Sequence, residues 1–177
     1  MKLRKINAVL SLATTVLLLA HAITTAIWML SMGKIIPMGG HTLPRALMWV
    51  TIAHALVSII LMILAHQDKN TKKGNIYPKM NMPTMIQRIT GVLLISFTFL
   101  HVASAMGVIT PPRGAHAIVP PVFFLLTMGH IAVSGSKAFI TLGIGSARFI
   151  KGVDICVKAI CVITVIADIV GFYLHVC

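Results

Sequence analysis

Acidic residues are almost absent from this chain of 177 residues, which has three aspartates and no glutamate against fifteen lysines and arginines. The resulting net charge of +12 is carried in short runs between apolar segments. No basic face interleaved with aromatic side chains offers a surface for nucleic acid, so we exclude a nucleic-acid partner. Basic residues between apolar segments are typical of membrane proteins, in which they set the orientation of the helices.

Cysteine is scarce as well, with Cys156, Cys161 and Cys177 as the three examples. Their spacing matches no CxxC, CxxCH or ferredoxin pattern, which excludes a covalently attached haem and an iron–sulfur cluster held by this chain. Rossmann and P-loop glycine patterns are also missing. All three cysteines fall in one apolar segment, where a small buried apolar side chain is the ordinary role.

Apolar residues, by contrast, make up 58% of the chain, and the mean hydropathy is +0.96. A soluble domain has roughly 45–50%. A spanning helix needs about 20 mostly apolar residues, and five segments qualify: Ile6–Leu30, Arg45–Ala65, Gln87–Gly107, Ala117–Lys137 and Val153–Val176. The first begins like a secretory signal, but its apolar run continues too far for one. The sequence therefore predicts an all-α integral membrane bundle of five transmembrane helices in a single domain, 1–177.

The distribution of positive charge predicts the orientation of this bundle. Twelve of the fifteen lysines and arginines fall at the N-terminus and in the second and fourth connections, whereas three fall in the first and third. Because positive residues are retained on the cytoplasmic side, we expect a cytoplasmic N-terminus and an external C-terminus.

Histidines stand inside the first four segments, one in each: His21, His54, His101 and His130. Polar side chains in the hydrocarbon region are expensive and usually face the bundle interior in a functional role. Each has a serine or threonine three or four residues away, on the same helix face. Ordinary helix packing explains such small residues, but a flat macrocycle also needs small neighbours. Imidazole pairs from facing helices are a common way to hold haem iron.

Depth in the membrane predicts how these histidines pair. At 1.5 Å per residue, His21 lies ~24 Å beyond Lys5 and His101 ~20 Å beyond Arg88, so both fall in the outer half. His130 lies ~10 Å from the inner end of its helix. Helices one and three can therefore share an outer site and helices two and four an inner one, although the second pair matches less closely in depth.

The segment "MIQRITGVLLISFTFLHV" resembles the third helix of a known family, the two-haem, five-helix cytochrome b subunit of succinate:quinone oxidoreductases and fumarate reductases. The family motif Q/H-R-x-T/S-G, followed by a haem histidine about ten residues on, is matched by Gln87, Arg88, Thr90, Gly91 and His101. The likeness extends over the first four helices. The segments "LLLAHAITT", "IAHALVSI" and "GHIAVSGSKAF" place His21, His54 and His130 at the family's ligand positions.

This resemblance implies two haems b and a quinone, with menaquinone the expected one. His21 and His101 would bind the outer haem iron, and His54 and His130 the inner one. Other residues would lie around the haems: Arg88, Thr90, Gly91 and Lys137.

The resemblance also implies partners. A flavoprotein and an iron–sulfur subunit would dock on the cytoplasmic side of a bacterial cell membrane, with Lys72 and Lys73 in the docking loop. Succinate or fumarate would react in those partners, and this chain would anchor them and react with quinone as their electron-transfer subunit. Lipid surrounds the helices, and a higher oligomer of the whole complex is compatible with this interpretation.

Two residues are candidates for catalytic proton transfer near the quinone. Relatives often carry an acid in the first connection, but "SMGKIIPMGGHTLPRAL" has none. His41 is the substitute there, although a loop histidine is more often uninvolved. Asp168 is the only carboxylate well inside an apolar segment; proton transfer and a structural hydrogen bond both remain open for it.

Two other functions remain open. A dihaem cytochrome b that oxidises quinol could serve a different reductase, such as one on the outer side of the membrane. A histidine-lined transporter of protons or a transition metal would use the same four side chains without haem.

Overall fold

The computed structural model describes residues 2–35, 42–71, 82–110 and 112–176, which form five α-helices and, within those ranges, no strand. For residues 65–71, 83–84, 113–114, 116–117 and 175–176 it describes the backbone alone. The helices are α1 Lys2–Leu30, α2 Thr42–Thr71, α3 Met82–Ala105, α4 Arg113–Leu142 and α5 Ala147–Val176. All five are long and apolar enough to cross a membrane. The predicted all-helical class is confirmed, and its five spans indicate a multi-pass membrane protein.

The predicted helix boundaries were wrong at most ends because helical structure continues beyond the apolar core of each segment. The fourth helix ends at Leu142 rather than Lys137, and the fifth begins at Ala147 rather than Val153. Basic side chains in these extra turns can reach water along their own length, so their charge does not stop a helix. The third helix begins at Met82 rather than Gln87 and ends at Ala105 rather than Gly107, where the chain turns with a φ of +70°.

A tight turn between α4 and α5 explains the errors at the end of α4 and the start of α5. Gly143 ends α4 in the left-handed conformation, with a φ of 73°. The backbone N–H of Ile144 then donates to the carbonyl of Phe139 at 3.0 Å, which satisfies one of the last free carbonyls of the helix. At the start of α5, the hydroxyl of Ser146 accepts a hydrogen bond from the N–H of Phe149 at 3.3 Å. These two caps replace the long connection that hydropathy alone predicted.

The packed core of the protein lies between α1, α4 and α5. Met128, Ile131 and Cys161 form its buried centre, and apolar residues from all three helices surround them: Leu18, Leu19, Ala22, Ala132, Val157 and Val165. Cys161 is a free, buried cysteine, which matches the packing role expected from its apolar segment. Because these three helices pack on each other, they provide a fixed support for the other two.

The two remaining helices flank this core. α2 packs along α1, and α3 packs along α4, while no extensive contact joins α2 to α3 within the described ranges. The four helices that carry the predicted ligand histidines therefore follow the order α2–α1–α4–α3. In this order α1 is diagonal to α3, and α2 is diagonal to α4.

Candidate functional site

The first histidine pair joins the diagonal helices α1 and α3. His101 lies close enough to His21 for the charge of one ring to act on the other. The ring of His101 also stacks on Phe123 of α4, with centroids 5.0 Å apart and an interplanar angle of 23°. The aromatic ring supports one face of the imidazole and limits its rotation. His101 is exposed and His21 is half-buried.

The second pair joins the other diagonal, between α2 and α4. His130 lies within electrostatic range of His54, and His54 in turn lies beside the backbone of Asn7. The hydroxyl of Ser58, one turn further along α2, donates to Oδ1 of Asn7 at 3.0 Å. This polar contact between α1 and α2 fixes the part of α2 that carries His54.

The "QRITG" segment of α3 surrounds His130 rather than the histidine of its own helix. Oγ1 of Thr90 lies 2.9 Å from Nδ1 of His130. A Cβ at Gly91 would lie 3.3 Å from Cε1 of the same ring, so the glycine makes room for it. Gln87 accepts a hydrogen bond of 2.7 Å from Nζ of Lys137, two turns after His130 on α4. The contacts of Thr90 and Gly91 are therefore with His130 of α4 and not with His101, the histidine that follows them on α3.

Arg88, the remaining residue of that motif, is exposed. Thr90 lies two positions further along α3, so the two side chains point in different directions from the helix. The predicted place of Arg88 in the surroundings of a haem stays a prediction.

Several observations test whether this region suits a haem. Nδ1 of His54 is buried and has no hydrogen-bond partner among the described residues, as expected for a side chain whose surroundings are incomplete. Gly129, the residue before His130, is exposed, and a Cβ there would meet nothing within 4 Å. The α2 and α3 helices flank a region that their own side chains do not close by extensive contact. These features fit a flat cofactor held between diagonal imidazoles.

Asp168 is the most deeply buried charged side chain that the structure describes, with 1% of its surface exposed. Neither carboxyl oxygen has a hydrogen-bond partner within the described ranges. The contact between Phe124 and Phe172, at 6.5 Å between ring centroids, sets the register of α5 against α4 near this depth. Thr127, which is 6% exposed, lies three residues from Phe124 and also has an unpartnered hydroxyl. Asp168 and Thr127 therefore lie at a similar depth on facing helices, and no described hydrogen bond connects Asp168 to a histidine.

Some of the predicted residues fall outside the described ranges. His41 and the docking lysines Lys72 and Lys73 belong to this group. Their assigned roles stay predictions.

Sequence reasoning missed Asn7 and Phe123. Asn7 is a polar residue inside the first apolar segment, so the criterion that selected the histidines would have found it. Phe123 carried no such signal, because one phenylalanine in an apolar helix is ordinary; only the packing of α3 on α4 brings it to His101.

Comparison with protein families, with curated proteins and with solved structures finds no match for this chain. The support for a function therefore comes from the chain's own residues. Four imidazoles lie on four helices, with His101 in electrostatic range of His21 and His130 in electrostatic range of His54. Neutral imidazoles in facing pairs can bind iron axially, bind another transition metal, or pass protons.

Proposed function

We propose that this chain is the membrane-anchoring dihaem cytochrome b subunit of a succinate dehydrogenase or fumarate reductase. In this role it carries electrons between a quinone and the flavoprotein and iron–sulfur subunits on the cytoplasmic side of a bacterial membrane. The observation that carries the proposal is the presence of one histidine on each of four helices, with His21 in electrostatic range of His101 and His54 in electrostatic range of His130. The resemblance of the segment from Gln87 to His101 to the family motif supports it.

Each pair would hold one haem b, which supplies a one-electron redox centre when bound. His21 and His101 would bind the outer haem, and His54 and His130 the inner one. Phe123 holds the His101 ring from one face, and Thr90 holds the His130 ring at Nδ1. Rings that are held in place need less rearrangement on binding, so the chain itself lowers the cost of binding a cofactor.

Two histidine pairs at different depths suit transfer of electrons across the bilayer. Moving one charge through the membrane works with or against ~2.3 kcal/mol per 100 mV. A proton that moves in the same direction compensates for this cost, which gives Asp168 its proposed role in proton uptake or release near the quinone. His41, in the first connection, is the other residue proposed for this role. The burial of Asp168 and its unpartnered oxygens support the assignment.

The proposed partners dock on the side that carries most of the positive charge. On the proposed orientation, twelve of the fifteen lysines and arginines lie at the cytoplasmic surface. The second connection, which includes Lys72 and Lys73, offers a basic surface to an acidic partner. The reduction potential of the quinone, and not this chain, would decide whether the complex oxidises succinate or reduces fumarate.

The test is a dithionite-reduced minus oxidised spectrum of the purified chain, with the haem quantified as its pyridine haemochrome. Two haems b per chain, together with copurifying flavin and iron–sulfur protein that act on succinate or fumarate, are the expected result. A haem-loaded chain that copurifies with an external reductase instead would assign it to a different respiratory complex. No haem, in protein produced with ample haem supply, would overturn the proposal and leave the transporter function.

A further inference from the structure

Thr90 of α3 has a single hydroxyl hydrogen and more than one neighbour that could share it. Its Oγ1 lies 2.7 Å from the backbone oxygen of Ile86 and 3.3 Å from that of Gln87. It also lies 2.9 Å from Nδ1 of His130 on α4. The atom to which that hydrogen points decides whether Nδ1 of His130 donates or accepts in its contact with Thr90.

The hydroxyl of Thr90 donates its hydrogen to the backbone carbonyl of Ile86. A carbonyl oxygen can only accept, and two oxygens 2.7 Å apart repel each other unless a hydrogen lies between them. A bond from a threonine hydroxyl to the carbonyl four residues earlier is also common in helices. Oγ1 of Thr90 therefore presents a lone pair to His130, and the hydrogen in that contact must come from the histidine.

We infer that Thr90 selects the tautomer of His130 that carries its hydrogen on Nδ1. A neutral imidazole has one N–H, so a hydrogen on Nδ1 leaves Nε2 with a free lone pair. The backbone carbonyl of Gln87 also lies near the ring and is a further acceptor on the same side. Both neighbours thus favour a hydrogen on Nδ1, and Nε2 is the nitrogen that is free to bind a metal.

Gly91 keeps the ring in reach of Thr90. A Cβ at this position would lie 3.3 Å from Cε1 and 3.9 Å from Nδ1 of His130, so a larger residue would press the imidazole away from α3. Thr90 and Gly91 together act through His130 and are positioning residues. This explains physically why the threonine and glycine of the motif stand side by side on α3, whereas the histidine that they serve is on α4.

The consequence for redox chemistry rests on the proposed function. A hydrogen bond from Nδ1 makes an imidazole a more basic ligand, which favours the oxidised form of the iron that it binds. Replacement of Thr90 by valine removes the acceptor and keeps the shape of the side chain. We therefore expect Thr90→Val to raise the midpoint potential of the haem held by His54 and His130, with the other haem unchanged.

The test is the ¹⁵N spectrum of the full chain, labelled at histidine, produced without haem and reconstituted in lipid bilayers at alkaline pH. His130→Ala identifies the signal of His130. We expect His130 to carry its hydrogen on Nδ1 in the wild type and in Thr90→Ser, and to show a mixture of both tautomers in Thr90→Val. Thr141→Val is the matched control, since Thr141 makes the same kind of bond to the carbonyl of Lys137 on the exposed side of α4.

A hydrogen on Nε2 in the wild type, or an unchanged tautomer in Thr90→Val, would overturn the inference. The tautomer of His130 is measured without haem, so the result does not depend on the proposed function. A chain with the expected tautomers that binds no haem would contradict the cytochrome and leave the role of Thr90 intact. A potential that shifts in Thr90→Val and returns in Thr90→Ser would support both.

Discussion

Val157 of α5 fills the space beside Gly135 of α4, so closely that a Cβ built on the glycine would lie 3.1 Å from Cγ1 of the valine. The two helices approach at this point because the glycine has no side chain. Small residues allow such close approach between membrane helices, where packing rather than exclusion of water drives association. Six residues before Gly135, α4 also carries Gly129, where an added Cβ would meet nothing within 4 Å.

These two glycines are expected to respond differently to the same substitution. Gly135→Leu forces α4 away from α5 and is expected to destabilise the chain by about 1–3 kcal/mol, as overpacked cores do. Gly129→Leu enters open space at an exposed position and is expected to leave the stability of the chain unchanged. Unfolding in SDS, followed by circular dichroism, measures the stability of both variants. Equal stability of the two variants would contradict the close packing at Gly135.

The diagonal pairing predicts which histidine variants lose which haem. His101→Ala is expected to retain one haem b per chain and His130→Ala the other, because each pair binds independently. The double variant is expected to retain none. A redox titration of each variant identifies the haem that remains by its midpoint potential. His66→Ala, at the inner end of α2 beyond the spanning segment Thr42–Leu64, is the control and is expected to keep both. Loss of the same haem in His101→Ala and His130→Ala would contradict the pairing.

Asp168 provides a test of proton transfer. On the proposed function, Asp168→Asn removes the ionisable group without changing its shape. Electron transfer from quinol is expected to fall by about 10²-fold, at the lower end of the contribution of a positioned proton-transfer group. Haem content is expected to stay the same. Turnover with a quinol analogue and proton release from proteoliposomes are the measurements.

The control for this variant is Asp154→Asn on the same helix. Asp154 accepts hydrogen bonds from Ser136 and Lys158 near the other end of the span, so its carboxylate already has partners. We expect its replacement to leave turnover unchanged. Unchanged turnover and proton stoichiometry in Asp168→Asn would show that Asp168 has a structural role only.

The hydrogen bond between Lys137 and Gln87 is expected to contribute to the contact between α3 and α4. A double-mutant cycle with Lys137→Ala and Gln87→Ala should give a coupling of about 0.5–1.5 kcal/mol, the usual net contribution of an intramolecular hydrogen bond. Lys158 and Asp154 form the reference pair, one turn apart on an exposed part of α5. Their coupling should be below about 0.5 kcal/mol, as for most exposed ion pairs. A coupling near zero for Lys137 and Gln87 would show that the bond does not hold the helices together.

The sequence predicted the number and class of the helices because a run of about 20 apolar residues has few other structures open to it. It predicted the ends at Leu30 and Val176 but missed the others. Helix ends depend on local capping by residues such as Gly143 and Ser146, which lie outside the apolar runs and have no effect on hydropathy.

The candidate site, too, could be predicted from the sequence only in part. The histidines could be selected from the sequence because a polar side chain inside an apolar segment is energetically costly and usually has a function. The partner of Thr90 is not visible there, since His130 is forty residues away and only the packing of α3 on α4 joins them. The periodicity of α3 shows which residues of that helix share a face with Thr90. It does not show which residue of α4 lies opposite.

The way in which α2 and α3 are attached has a consequence for how the protein is made. Each packs chiefly on one neighbour, and no extensive contact closes the bundle between them in the described ranges. On the proposed function, the two haems would act as cross-links, since each joins helices that otherwise do not pack together. Synthesis of this chain during haem shortage would then give a loosely assembled product that membrane proteases can recognise. Cofactor supply would control the amount of protein as well as its activity.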